Sequence, residues 1–366
     1  MHCRREHDRL AMERSERGPC CPRDLHAETY QNVSRAAPTA VISWNQCATL
    51  NPIPMDRRRF IASLGAIAAS SSLGETNLFA KSARPQIAVT MDDPQTTAAY
   101  GLAATELNRR ILDSLERHKI KAHLFVCGMR VDNPEGKQLL STWNQAGHTL
   151  GNHSYSHLFL HSKKVTLAAY LEDMEKGEGV VRGYTRFEKR FRYPFFKEGD
   201  TAEKRDGVRT WLSEHGYQQG RATIDASDWA IDDRLRKRIE KDPKADVAPY
   251  RQFYLDHLWE RAQFYDDLGV KVLGRRPPHT ILVHHRLLNA LFLGDVLEMF
   301  QKRGWELIST SQAYQDPVYQ RQPNILPAGE SLIWALAKES GKFDSVLRYP
   351  GEDDTYENPK MDALGL

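Results

Sequence analysis

Lysine is absent from the first 80 residues of this 366-residue chain, a segment with ten arginines and eight acidic residues. Of the chain totals of 51 basic and 48 acidic residues, 41 and 40 therefore belong to the remainder. Because that remainder is almost neutral, composition gives no reason to expect a nucleic-acid partner or binding to an anionic membrane surface.

Cysteine is also scarce, and its distribution is uneven. Four of the five cysteines lie at positions 3, 20, 21 and 47, which leaves only Cys127 for the rest of the chain. No internal disulfide is therefore expected after residue 80. Long hydrophobic runs are missing as well, since the apolar run Ile61–Ala69 is too short to span a bilayer stably. We expect no stable membrane span in the mature chain.

That short run belongs to MDRRRFIASLGAIAASSSLGETNLFA, which begins at Met55. The cluster Arg57–Arg59 followed by apolar residues has the layout of a secretory signal, and Arg-Arg-x-Phe-Ile resembles a twin-arginine signal, which exports folded proteins. We therefore expect a periplasmic or extracellular protein. The expected organisation is a non-native or disordered upstream extension (1–54), a signal peptide (55–80), a catalytic domain (85–315) and a C-terminal tail (316–366).

Short apolar runs alternate with amphipathic stretches from residue 85 onward, which predicts an α/β fold with parallel strands, either a barrel or an open sheet. The predicted strands are 87–90, 122–126, 149–150, 190–192, 217–224, 281–283 and 305–308. The predicted helices are 106–118, 135–146, 167–181, 203–215, 289–303 and 331–339. A charge-rich insertion, 231–278, interrupts this pattern, and its aromatics at helical spacing favour an amphipathic helix packed against the barrel.

Polar residues follow five of these strands where each strand ends. They are Asp92 and Asp93, His153 and His157, Arg192 and Pro194, Asp225 with Asp228 and Trp229, and His284 with His285. The C-terminal ends of parallel strands meet at one edge of such a fold, where active sites are built. Each cluster alone has an ordinary structural explanation, such as helix capping, but five together predict a site.

The residue types favour a metal centre. His153 and His157 are four residues apart, so in a helical turn both imidazoles would lie on one face. With a carboxylate from Asp92 or Asp93 they make a two-histidine, one-carboxylate ligand set that leaves positions open for water and substrate. The other aspartate is then a candidate base toward a water whose pKa the metal lowers to about 7. His284 is a candidate acid for the leaving group.

Five motifs resemble those of the polysaccharide deacetylase family, the family 4 carbohydrate esterases, and occur in the same order. They are TMDD at 90–93, GNHSYSH at 151–157, RYPF at 192–195, DASDW at 225–229 and LVH at 282–284. The resemblance covers roughly residues 85–310 and implies a distorted (β/α) barrel, here with a helical insertion before the strand of the last motif. It also implies a hydrolase that removes acetyl groups, N-acetyl above all, from a carbohydrate by attack of a metal-bound water.

The resemblance further implies a role for each motif residue. Asp92 is similar to the general base and Arg192 to the residue that holds it, while Asp228 resembles the carboxylate that tunes the acid, His284. The implied ligands of one divalent ion, with zinc preferred, are Asp93, His153 and His157. The implied substrate-binding residues are Phe195, whose neighbouring backbone N–H would assist the oxyanion, and Trp229 and Leu282, which resemble walls of an acetyl pocket.

Three positions depart from the family pattern. Pro94 and Phe196 stand where glycine is common, and His285 stands where an acidic residue is frequent. Because side chains alternate along a strand, only one of His284 and His285 is expected to face the site.

Two other function classes share parts of this pattern. Two histidines and a carboxylate also serve non-haem Fe(II) oxidative enzymes, and an inactive sugar-binding homologue would keep the same fold. A paired base and acid favours the hydrolase, because an oxidative iron enzyme needs neither. The expected partner is therefore an acetylated carbohydrate.

Overall fold

The computed structural model describes residues 84–99 and 101–366. The expected upstream extension (1–54) and signal peptide (55–80) lie outside the described residues. The strands are β1 (Gln86–Asp92), β2 (His123–Val126), β3 (Thr149–Asn152), β4 (Phe187–Phe191), β5 (Lys197–Gly199), β6 (Gln218–Gln219), β7 (His279–His284), β8 (Glu306–Leu307) and β9 (Ala328–Gly329). The helices are α1 (Ala104–Arg117), α2 (Pro134–Gln145), α3 (Leu167–Val181), α4 (Ala202–Glu214), α5 (Asp228–Lys241), α6 (Ala248–Leu273), α7 (Leu287–Lys302), α8 (Thr310–Ala313), α9 (Leu332–Ser340) and α10 (Asp354–Ala363).

The parallel strands form one sheet in the order β6-β4-β3-β2-β1-β7, and β8 also pairs with β1. The chain that leaves β6 at one end of this order reaches the other end, where Ile224 forms a parallel bridge with Ile281 of β7. Residues 218–224 therefore join the two ends, and the sheet curls into a distorted barrel with helices around it. The predicted fold class is confirmed.

The predicted strand 217–224 is wrong in its extent. Only Gln218 and Gln219 pair with β4, because at Gly220 the chain turns away and its N–H donates to the Phe191 carbonyl at 2.6 Å. A β-carbon at Gly220 would collide with the ring of Phe125, so the turn requires glycine. Because the chain turns away at Gly220, one short segment pairs with β4 at one end of the sheet and with β7 at the other.

Strand β1 lies between β2 and β7 in the sheet. Six of its seven residues are buried, as expected for a parallel strand covered on both faces. Its last residue is the buried Asp92, so this enclosed strand ends in a charged group. A buried carboxylate must be paired or hydrogen-bonded, and its partners indicate the site.

The insertion and the C-terminal segment both pack onto the barrel. Helix α6 contributes Tyr254, Leu258 and Tyr265 to the main hydrophobic core. In the C-terminal segment, β9 pairs antiparallel with β5, and Trp334 is buried. Within residues 84–99 and 101–366, no helix combines the length and the apolar character that crossing a membrane requires.

Candidate active site

The C-terminal ends of the parallel strands bring the predicted polar clusters together. Asp92 at the end of β1 stands opposite His284 at the end of β7. Asn152 at the end of β3 stands opposite Phe191 at the end of β4, so His153 and Arg192 emerge side by side. This edge of the sheet carries the candidate site.

Asp92 forms a buried ion pair with Arg192. Nη1 of Arg192 donates to Oδ1 of Asp92 at 2.8 Å, and Nε of Arg192 donates to the Gly220 carbonyl at 2.6 Å. The other carboxylate oxygen, Oδ2, lies 3.6 Å from Nε2 of His153. Arg192 therefore fixes one oxygen of Asp92 and leaves the other directed toward the histidines.

Asp93, His153 and His157 each offer one ligand atom, and these atoms all lie within 4.8 Å of one another. Nδ1 of His153 donates to the Arg192 carbonyl at 2.7 Å, which leaves Nε2 as the bare nitrogen. Nε2 of His157 lies 3.6 Å from Oδ2 of Asp93. Ligands held tetrahedrally at about 2.0–2.2 Å from zinc would be about 3.4 Å apart, so the separation fits a zinc-sized ion.

Two of these residues, Asp93 and His157, have the protonation states that a cation requires. Oδ1 of Asp93 is buried without a hydrogen-bond partner, although Nε of Arg130 lies 3.2 Å away. Burial opposes ionisation of Asp93, but its interactions with the His157 imidazole and the Arg130 guanidinium outweigh burial and lower the pKa of Asp93. Burial lowers the pKa of His157 to about 3. A neutral imidazole and an ionised carboxylate at neutral pH suit a divalent ion.

The prediction that His153 and His157 share a helical turn is wrong. The segment after β3 is a loop without helix, and both Ser154 and His157 have left-handed backbones, with φ of 62° and 59°. The two imidazole centres are 5.0 Å apart. The loop is held from behind by Asp173 of α3, whose carboxylate accepts the backbone N–H groups of Tyr155 and Ser156 at 3.0–3.1 Å.

Asp228, which is buried, and His284, which is half-buried, form a second pair. Nδ1 of His284 donates to Oδ1 of Asp228 at 2.6 Å, and the His284 backbone N–H donates to Oδ2 at 2.8 Å. Burial would lower the pKa of His284, but the negative charge of Asp228 outweighs burial and raises it. Likewise burial would raise the pKa of Asp228, but His284 lowers it. The pair is therefore an imidazolium held by a carboxylate over a wide pH range.

His285 faces away from the site. Its side chain is fully buried, Nε2 lies 3.0 Å from Oδ1 of Asn108, and its ring centre lies 6.2 Å from that of Trp143. Burial lowers its pKa to about 4. His148 is also structural, because its Nδ1 accepts the backbone N–H of Ala122 at 3.0 Å.

The predicted substrate-binding residues lie in different surroundings. Phe195 is 50% exposed and packs edge-on against His157, with ring centres 4.5 Å apart. Leu282 is buried in a small cluster with Phe196 and Ala222. Trp229 is half-buried in the first turn of α5. An exposed aromatic face therefore lies beside a candidate metal ligand.

The backbone at Phe195 and Phe196 is strained. Both residues have left-handed conformations, with φ of 58° and 53°, which are uncommon for bulky side chains. The N–H of Phe196 donates to the Tyr193 carbonyl at 3.1 Å. The N–H of Phe195 is thus the better candidate for an oxyanion donor in this loop.

Several residues that support the site were not predicted from the sequence. Asn289 donates to both Asp228 and the His284 carbonyl, Arg130 contacts Asp93, and Asp173 supports the histidine loop. Only Asp173 had a usable signal, as an acidic residue on the buried face of a predicted helix.

Asp225, named in the fourth cluster, is half-buried, and burial raises its pKa well above the usual range.

Comparison with known proteins agrees with the motif pattern. Residues 80–220 match the family model described as polysaccharide deacetylase. The peptidoglycan-N-acetylglucosamine deacetylase of Bacillus cereus is 25% identical over 146 residues, which are 40% of this chain and 47% of that protein. The chain thus matches about half the length of this curated relative. The predicted resemblance is confirmed for this region.

Solved structures similar to this chain include a deacetylase and a pseudoenzyme. Peptidoglycan deacetylase PdaC of Bacillus subtilis aligns at 21% identity over 63% of this chain and 91% of that chain, with a TM-score of 0.42. A CE4 family pseudoenzyme of Bacillus anthracis aligns at 17% identity over 63% of this chain and 65% of that chain, with a TM-score of 0.43. The fourth and fifth motifs lie beyond the family-model match and reach the site through α5 and β7.

Proposed function

Since residues 80–220 carry a polysaccharide deacetylase domain, we propose that this protein is a metal-dependent hydrolase that removes acetyl groups, N-acetyl above all, from a carbohydrate. One observation carries the proposal. Two charged pairs lie beside the cluster of Asp93, His153 and His157. One is Asp92 with Arg192, and the other is Asp228 with His284. The two pairs are adjacent because Asp92 of β1 is the register partner of His284 of β7.

Asp93, His153 and His157 are the residues that would hold the ion, for which zinc is preferred. When bound, a divalent ion supplies Lewis-acid polarisation of the acetyl carbonyl and activates a water. The donor set fits zinc, with two imidazoles and one carboxylate.

Asp92 is the proposed base. Arg192 occupies Oδ1, so Oδ2 is the oxygen that accepts the proton of the attacking water. The ion pair with Arg192 fixes the orientation of the Asp92 carboxylate. The Phe195 N–H is the proposed donor to the oxygen of the tetrahedral intermediate.

His284 is the proposed acid. An amine is a poor leaving group unless it is protonated, and Asp228 keeps His284 protonated and holds its Nδ1, so that Nε2 delivers the proton. Phe195, Trp229 and Leu282 are the proposed walls around the acetyl group and its sugar. The proposed partner is therefore an acetylated glycan.

Acetate release tests the proposal directly. The chelated protein, reconstituted with zinc or another divalent ion, should release acetate from N-acetylated oligosaccharides without any co-substrate. An oxidative iron enzyme would require an oxidant, and an inactive sugar-binding homologue would bind oligosaccharide without releasing acetate. Absence of acetate with every metal and every acetylated glycan tested would reject the hydrolase.

We also propose export, to the periplasm or beyond. The support is the Arg57–Arg59 signal-like segment of the sequence, and the matched relative in Bacillus cereus is a peptidoglycan deacetylase. Fractionation of cells that express the full chain tests this, and an activity confined to the cytoplasm would contradict it.

A further inference from the structure

Helix α6 of the insertion directs two buried polar side chains toward the acid pair. Tyr254 and His257 are three residues apart, so they lie on one face of the helix. They are 0% and 3% exposed. Neither belongs to the five motifs, and buried polar groups of this kind require partners.

Tyr254 reaches Asp228 through one amide. Its hydroxyl donates to Oδ1 of Asn289 at 2.8 Å, and Nδ2 of Asn289 donates to Oδ2 of Asp228 at 2.8 Å and to the His284 carbonyl at 2.9 Å. The hydroxyl therefore holds the amide with its nitrogen toward two acceptors. A reversed amide would set its oxygen against the Asp228 carboxylate.

His257 holds the backbone just before Asp228. Its Nε2 lies 2.7 Å from the Ala226 carbonyl, which only accepts, so Nε2 carries the proton. The next residue, Ser227, has a left-handed backbone with φ 48° and ψ 37°. The Ala226 carbonyl and this turn together decide where Asp228 emerges at the start of α5.

His257 also belongs to a second group of potential ligands, with Glu352 and Glu357, whose atoms lie within 4.8 Å of one another. Arg348 pairs with both glutamates and Arg261 pairs with Glu352. Two guanidinium groups thus neutralise the two carboxylates. The group supports the loop and is poorly suited to a second cation.

We infer that α6 positions the acid pair, with Tyr254 and His257 as positioning residues that fix Asp228 and, through it, His284. The inference rests on the proposed hydrolase function. A buried hydrogen-bond network stabilises one arrangement more than its separate bonds would. A general acid must lie within hydrogen-bond reach of the departing atom, so a displaced Asp228 would carry His284 out of line.

Substitution Tyr254→Phe tests the inference because it removes one hydroxyl and keeps the ring. We expect kcat on an N-acetylated oligosaccharide to fall roughly tenfold, a part of the about 10²–10⁴-fold that a general acid contributes. KM should change little. Activity on 4-nitrophenyl acetate should stay within about twofold, because a phenolate leaves without an acid. Tyr250→Phe is the matched control, since that hydroxyl contacts the Arg234 carbonyl at 3.5 Å, away from the acid pair.

The amide-to-ester activity ratio does not depend on how much of each variant is folded, because both activities scale with folded enzyme. An unchanged ratio in Tyr254→Phe, whether both activities fall together or neither falls, would overturn the inference. His257→Leu should lower the ratio and His257→Gln, which keeps a donor near the Nε2 position, should restore it. Failure of Gln to exceed Leu would remove His257 from the inference. A wild-type protein that hydrolyses neither substrate would instead reject the proposed function, and this inference with it.

Discussion

Asp92 and Asp93 are identical side chains that the backbone sends in different directions. Asp92 ends a regular strand, whereas Asp93 has a left-handed backbone with φ 59°. The turn lets Asp92 face Arg192 while Asp93 faces His157. A division between base and ligand is thus consistent with the backbone at two adjacent positions.

This division gives opposite expectations for metal content and turnover. Asp92→Asn should keep the metal and lose about 10²–10⁴-fold in kcat on both amide and ester substrates.

His157→Ala should lose most of the metal, because only two ligands remain. Elemental analysis of purified protein measures this, with His161→Ala as the control, since its Nε2 contacts the Ala328 carbonyl outside the cluster. Full metal occupancy in His157→Ala would contradict the ligand assignment.

The proposed acid, His284, can be distinguished from its neighbour, His285, by comparing substrates with different leaving groups. His284→Ala should lose far more activity on an acetamido sugar than on an activated acetate ester. His285→Ala should leave the ratio of the two activities unchanged, although it empties a buried site beside Asn108 and Trp143 and should lower thermal stability. A selective amide defect in His285→Ala would show that the acid is the other histidine.

The raised pKa of His284 has a predictable pH dependence. Burial lowers the pKa of His284, but the charge of Asp228 outweighs burial and raises it above the ordinary value of 6.5. The imidazolium therefore persists to a higher pH than a free histidine would allow. Amide turnover should therefore fall only as pH rises through the raised pKa, and Asp228→Asn should move that fall to lower pH. The pH–rate profile of kcat measures it. An alkaline fall that Asp228→Asn leaves in place would contradict the pairing.

The sequence predicted those site residues whose identity is dictated by their chemistry. The histidines and aspartates of the motifs could be named because ligands and acids have few possible types. Asn289 and Tyr254 could not, because an amide and a phenol become important only through contacts between distant segments. The helical turn at His153–His157 was wrong because local spacing says nothing of the left-handed backbone at Ser154.

Among the elements, β9 supports the strained loop at Phe195 and Phe196. Lys197 of β5, directly after the loop, pairs with Gly329, and the Glu330 N–H donates to the Phe196 carbonyl at 3.0 Å. Lys197 and Glu330 also form an ion pair. The C-terminal segment, predicted from sequence as a tail without a motif, therefore holds the proposed oxyanion loop.

Substitution Gly329→Ala should disturb this support. Gly329 has φ 140°, and a β-carbon there would collide with the Phe196 carbonyl oxygen. We expect roughly a tenfold fall in kcat, a part of the about 10²–10³-fold that one oxyanion donor contributes. Gly341→Ala is the matched control, because that glycine also has positive φ, 66°, but has open space around it. It should cost about 1–2 kcal/mol of stability without changing kcat. Equal kcat in both variants would contradict the role of β9.

For the whole molecule, the ligand cluster should couple metal binding to folding. The three proposed ligands come from the residue after β1 and the loop after β3, and unfolding separates them. A ligand at 100 times its Kd stabilises the folded state by about 2.7 kcal/mol. Zinc added to chelated protein should therefore raise Tm by several degrees, and His157→Ala should abolish the rise. Calorimetry measures this without relying on activity, and an unchanged Tm in the wild type would argue against a resident ion.

The pairing of β1 with β7 also determines when the site can exist during synthesis. The proposed base, Asp92, ends the first described strand and the proposed ligand Asp93 follows it directly. The proposed acid, His284, lies about 190 residues later in the chain and is the register partner of Asp92. A nascent chain that has made the first three motifs has no acid, and one side of β1 has no neighbour to cover it. Such long-range pairings form late and leave apolar strand surface exposed until then. The proposed hydrolytic activity is thus acquired only after β7 has been made, and a shorter ribosome-bound fragment would be inert toward any glycan it met.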